Sequence, residues 1–120
     1  MIKTYEVKIY CGLREGYSST IHSIAEVEQI CQKFVDKKRL CVTVTPTKFI
    51  YRKGSEPGAI IGLIQYPRFL RMECKIKALA IGLTQILIDE LKQERMSIVF
   101  PDETLMLEKQ LVDQFDGFHE

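Results

Sequence analysis

Pro57-Gly58-Ala59-Ile60-Ile61-Gly62-Leu63-Ile64-Gln65-Tyr66 decides how this chain of 120 residues is read. The run is nearly all apolar and is bounded by Gly54-Ser55-Glu56-Pro57-Gly58 before it and Pro67 after it, so it reads as a strand apolar on both faces. A periodic segment follows from Met72 to about Glu94, with apolar residues at Met72, Ile76, Leu79, Ala80, Leu83, Leu87 and Leu91. Steps of three and four place these on one helical stripe.

The other elements are placed against that strand and helix. Thr4 to Cys11 alternates, with Tyr5, Val7, Ile9 and Cys11 on one face and Glu6, Lys8 and Tyr10 on the other, the period of a half-buried strand. Gly12 to His22 has two glycines, four hydroxyls and no period, and reads as a long loop. Ser23-Ile24-Ala25-Glu26 has the spacing of a capping box. Ile24, Val27, Ile30, Cys31, Phe34 and Val35 then form a stripe, and Lys37, Lys38 and Arg39 suit the C-terminal end of a helix dipole. Leu40 to Thr45 is a β-branched strand that Pro46 ends or confines to a sheet edge, and Phe49-Ile50-Tyr51 continues the extended course after an irregularity. Arg52 to Gly58 reads as a generous hairpin loop. Ser97 to Phe100 forms a further strand, and Leu105-Met106-Leu107 can return beside it as a short fifth one.

The order strand, helix, strand, strand, helix, strand predicts an α+β fold, a ferredoxin-like βαββαβ two-layer sandwich. Its antiparallel sheet carries both helices on one face and leaves the other bare. One domain over residues 1–108 is expected, with a C-terminal tail at 109–120 whose Leu111, Phe115 and Phe118 can dock or stay loose. Because both alternating sets of that strand, Ala59/Ile61/Leu63 and Ile60/Ile64/Tyr66, are apolar and only one can point at the helices, the other meets the bare face, and a homo-oligomer formed through that open sheet face is expected. The competing arrangement folds the fifth strand or the tail over the sheet.

Composition excludes several classes. With 17 basic against 16 acidic side chains the formal net charge is +1, so no global field draws the chain to nucleic acid or to an anionic membrane. Charges interrupt every apolar run near Met1-Ile2-Lys3-Thr4-Tyr5-Glu6-Val7, and no run approaches the ~20 residues of a membrane span, so a cytoplasmic protein is expected. Cys11, Cys31, Cys41 and Cys74 lack CxxC spacing and fall within apolar patterns, and are read as buried reduced thiols.

Candidate chemistry gathers at two places. Arg14, Tyr17, Ser18 and His22 precede a helix N-terminus, where free N–H groups favour a phosphate or carboxylate, although serine-rich loops usually supply caps and turns. Tyr66 and Arg68 flank Pro67, and a cleft walled by Tyr17, Tyr66 and Arg68 beside the first helix is the expected ligand site. Glu56, Arg68, Asp102 and Glu103 otherwise read as solvated turn chemistry. His22 and His119, the two histidines, have no ligand-spaced partner, so neither a metal nor a cofactor is expected. No nucleophile elbow supports a serine triad built from Ser18 or Ser19 and His22. The run Ile9-Tyr10-Cys11-Gly12-Leu13 looks like an RNA-contacting motif, but the central strand has no aromatic before Tyr66 on which bases could stack, so nucleic acid is not expected as a partner. A metal-dependent nuclease of this topology would want an acid where Cys11 and Gly12 stand.

Gly12-Leu13-Arg14-Glu15-Gly16, Leu40-Cys41-Val42-Thr43-Val44-Thr45-Pro46, Glu56-Pro57-Gly58 and Gln93-Glu94-Arg95 give the chain a resemblance to small, uncharacterised ferredoxin-like proteins of bacteria and their mobile elements. The resemblance covers most of residues 4 to 108. It implies the fold and carries over no catalytic residue. Two functions are therefore weighed. The first is a non-enzymatic binding or assembly module working as a homo-oligomer; the alternative is a small cofactor-free enzyme or ligand-binding protein with a pocket between sheet and helices. A closed, polar-lined cavity reached by Arg14, His22, Tyr66 or Arg68 would favour the second, and a solid core with a flat paired sheet face the first.

Overall fold

The computed structural model describes residues 1–109. Seven elements follow in the order β1 (Glu6–Gly12), α1 (Ile24–Lys38), β2 (Thr43–Tyr51), β3 (Gly54–Ile64), α2 (Glu73–Glu90), β4 (Arg95–Val99) and β5 (Thr104–Glu108). They form one sheet of order β2-β3-β1-β4-β5, antiparallel at every pairing described, which is the expected α+β ferredoxin-like arrangement with a fifth strand added outside β4.

The apolar run keeps its predicted role. Within β3, Ala59, Ile61 and Leu63 are buried, and they meet Val7, Ile9 and Cys11 of β1 and the buried stripes of α1 (Val27, Cys31, Phe34) and α2 (Ile76, Leu79, Ala80, Leu83, Leu87) in one core. Thr84 is the one polar side chain in that α2 interface, and its hydroxyl donates to the Ala80 carbonyl at 2.8 Å, so no buried donor goes unpaired. The alternate residues of β3, Ile60, Gly62 and Ile64, lie on the face without helices, with Tyr10 of β1, Thr43, Thr45 and Phe49 of β2, and Met106 of β5. Among the described residues nothing covers this face, and Ile64 is 40% and Met106 52% exposed.

The ends of the elements also follow from sequence. Ser23 caps α1: its hydroxyl accepts from the Glu26 N–H at 3.2 Å, and Glu26 accepts from the Ser23 N–H at 3.3 Å. Pro46 is accommodated because β2 is an edge strand, and Pro57 because it lies beyond the Gly12–Gly58 pair, where β3 has outrun β1.

Five expectations are corrected. β2 runs unbroken through Pro46 to Tyr51. The loop to β3 is a tight turn of Arg52 and Lys53 between the paired Tyr51 and Gly54, with Lys53 at φ 61°, because the polar stretch Gly54–Glu56 pairs on the edge strand instead of looping. Residues 12–22 are not free loop: Arg14 bridges Ile21, and backbone hydrogen bonds join His22 to Leu13 and Glu15 to Thr20. Cys41 and Cys74 are exposed, since one precedes β2 and the other falls on the outer side of the first turn of α2, leaving Cys11 and Cys31 buried. Burial pushes these two thiols up, to about 12 and about 11, so both stay protonated. Finally, Tyr66 stands beyond the end of β3 and Met72, 73% exposed, caps α2 instead of joining its stripe. The proposed docking of the tail lies outside the described residues.

Candidate functional site

The residues singled out in the sequence separate into two groups, at opposite ends of β1. Arg14, Tyr17, Ser18 and His22 lie past Gly12, whereas Tyr66 and Arg68 lie past Ile64, which pairs with Glu6. A seven-residue strand puts the groups roughly 20 Å apart, so Tyr17 does not share a wall with Tyr66 and Arg68.

In the first group the hairpin-like excursion binds itself. The Ser18 hydroxyl donates to the Glu15 carbonyl at 2.7 Å, Arg14 Nη1 donates to the Ser18 carbonyl at 3.2 Å, and Arg14 Nε lies 3.7 Å from Glu56. His22 sits between two carboxylates, Nδ1 at 2.6 Å from Glu26 and Nε2 at 2.8 Å from Glu15. A neutral imidazole has one N–H and can serve one of them; both are served only by the imidazolium. The hydrogen bond that His22 donates to Glu26 is the main cause of a His22 pKa raised above the usual range, partial burial opposes it, and Glu15 adds to it. Both ring nitrogens being engaged, His22 offers no lone pair to Ser18. Tyr17 points into solvent.

The second group borders a half-open cleft of about 530 Å³ between the end of α1, the end of β3 and the start of α2. Leu40, Ile64, Phe69 and Ile76 give it apolar walls, and Arg39, Cys41, Gln65, Tyr66 and Arg71 bring polar groups to them. Its shape comes from a clasp. Gln65 donates to the Arg71 carbonyl at 2.5 Å and accepts from the Arg71 N–H at 2.8 Å, closing residues 66–70 into a compact bend in which Tyr66 bridges Phe69. The Arg71 guanidinium then donates to the carbonyls of Lys38 and Arg39, joining this bend to the end of α1 and satisfying helix-terminal acceptors. The Cys41 thiol beside it, together with burial, pushes the Tyr66 phenol up to about 12, so it stays protonated and available as a hydrogen-bond partner. Arg68 lies outside the cleft lining, its guanidinium 5.8 Å from the Phe69 ring centre.

Cys41, Gln65, Arg39 and Arg71 went unnoticed in the sequence. Arg39 read as a helix-end cation and Gln65 as the tail of a strand. The available signal was the run Gln65 to Arg71, in which an amide and an arginine flank a proline-containing bend of the length one side chain can bridge. Among the described residues no cluster of His, Cys, Asp or Glu could hold a metal ion, and no helix is long and apolar enough to cross a membrane.

No family model and no curated protein matches the sequence. Two solved structures match its fold. A phage SAM lyase in complex with S-methyl-5′-thioadenosine superposes with a TM-score of 0.77 at 14% identity, over 90% of this chain and 92% of that one. A phage SAM lyase in the apo state gives 0.74 at 14% identity, over 88% and 90%. At that identity the likeness establishes the small α+β fold across nearly the whole length of both chains.

Proposed function

We propose that this chain is a small enzyme that binds and cleaves an adenosyl sulfonium such as S-adenosylmethionine, with the Cys41–Tyr66 cleft as its site. The observation that carries the reading is the cleft itself, a cavity of ligand size beside Tyr66 in a chain whose fold superposes on a phage SAM lyase over 90% of its length. The chemistry suits a protein of this size. When the bond from sulfur to the amino-acid side-chain carbon breaks, sulfur keeps the electron pair and departs as the neutral thioether, while an oxygen of the substrate's own carboxylate bonds to that carbon and closes a lactone, so no water is consumed and the protein has chiefly to orient the substrate and exclude water. Leu40, Ile64, Phe69 and Ile76 supply the dry walls, and protonated Tyr66 supplies a fixed hydrogen bond.

Incubation of the purified protein with S-adenosylmethionine and chromatography for S-methyl-5′-thioadenosine tests this. The expected result is thioether product above the spontaneous rate, falling roughly fivefold to tenfold in Tyr66→Phe through loss of one hydrogen bond. Product at the spontaneous rate from the folded wild-type protein overturns it.

One observation favours a second, compatible reading, self-association through the open sheet face: Ile60, Ile64, Tyr10, Phe49 and Met106 form an uncovered strip on it. We propose a homo-oligomer on that basis.

A further inference from the structure

The charge of the cleft is one-sided. Arg39 and Arg71 line it and Arg68 lies against its Phe69 wall, while no aspartate or glutamate lines it. Among the described residues none of these three arginines is within ion-pair distance of an acid, whereas Arg14, Lys3 and Lys77 each have one. Arg71 is held at both ends: its backbone by Gln65, and one guanidinium nitrogen, Nη2, by the carbonyls of Lys38 and Arg39. With both Nη2 hydrogens committed, neither two-donor edge of the guanidinium is free, and Nη1 and Nε are left as single, separately aimed charged donors to an anion. Arg39 stands at the rim in the left-handed backbone region, φ 54°, at a helix-end position where glycine is usual.

We propose that the cleft is a carboxylate-recognition site: its ligands are amphipathic anions, an apolar or aromatic body in the cleft and a carboxylate on Arg71 and Arg39. The inference rests on the adenosyl reading for the identity of that body. It assigns the arginines to the amino-acid carboxylate of the substrate, and it makes them a source of discrimination. S-methyl-5′-thioadenosine has no carboxylate, so the product loses the grip that holds the substrate. The same lack of acids leaves a bound sulfonium with no counter-ion from the protein, which favours the neutral thioether over the cation.

Calorimetric titration of the intact protein tests this with S-adenosylhomocysteine (carboxylate and neutral sulfur), S-methyl-5′-thioadenosine (no carboxylate) and 3-phenylpropanoate (carboxylate without nucleoside). S-adenosylhomocysteine is expected to bind at least about tenfold more tightly than S-methyl-5′-thioadenosine, the value of one charge-assisted pair. That advantage is expected to shrink in Arg39→Gly, which the backbone favours and which keeps the fold, and to vanish in Arg71→Lys, which keeps the charge and loses the guanidinium donors held in place by the Lys38 and Arg39 carbonyls. Equal affinity for the two nucleosides, an advantage that survives both substitutions, or no binding of any probe overturns the proposal. Binding of 3-phenylpropanoate that depends on the arginines, with neither nucleoside bound, sinks the adenosyl reading and leaves the carboxylate site standing.

Discussion

His22 is the residue whose state depends most on pH. Its folded pKa is raised above the ordinary 6.5, so its contribution to stability is fully present below that value and fades as pH rises through the folded value. Glu26, whose pKa is lowered by the same contact, sets the opposite limit: its share is lost as pH falls through its own folded value. The clasp on the excursion is therefore tightest between the two. The melting temperature of His22→Gln should lie a few degrees below wild type at about pH 6, and the gap should close toward about pH 9; a gap that widens with pH contradicts the imidazolium. Gly58 makes a different residue-scale prediction. A Cβ there would lie 2.8 Å from the Cys11 carbonyl oxygen and 2.2 Å from Phe49 Cε2, and the carbonyl is fixed in the sheet. Gly58→Ala should cost about 1 to 3 kcal/mol in urea unfolding. At Gly62 a Cβ meets only the Thr43 hydroxyl, at 2.6 Å, and that side chain can rotate away.

Among the elements, α2 gives the core more buried hydrophobic residues than any other. Leu83 is fully buried at the middle of its stripe, and Leu83→Ala should cost ~2 to 5 kcal/mol, measured as a shift in urea midpoint at constant m-value. The sheet and both helices were legible because their evidence is repetitive: the stripe on α2, the alternation of β1 and the capping box at Ser23 each state the same thing several times over a short stretch. The Arg52–Lys53 turn was missed because polar residues on an edge strand look like loop, and nothing local distinguishes Gly54-Ser55-Glu56 paired from the same residues unpaired. The cleft was half legible. Tyr66 was found from its place at a strand end, but Cys41, Arg39 and Arg71 come from the far side of α1 and from beyond Pro67, and only the folded chain brings them together. Tyr17 could have been separated from Tyr66 beforehand, because it follows the C-terminal end of β1 whereas an antiparallel β3 brings Tyr66 to the N-terminal end.

For the molecule as a whole, the open sheet face is the remaining decision. If copies associate through it, wild type should sediment as a discrete oligomer and the double variant Ile60→Lys/Ile64→Lys as a folded monomer, whereas a monomeric wild type removes that role from the face. The two central strands also lie far apart along the chain. β2 and β3 meet across a two-residue turn, but Gly12 must wait for Gly58, and Lys8 for Val99. During synthesis β1 leaves the ribosome ahead of both strands it pairs with, and waits for β3 and then for β4. Its apolar row, Val7, Ile9 and Cys11, is thus the segment of the nascent chain most in need of a holdase, and a stalled ribosome that has exposed residues up to β2 should present it to one.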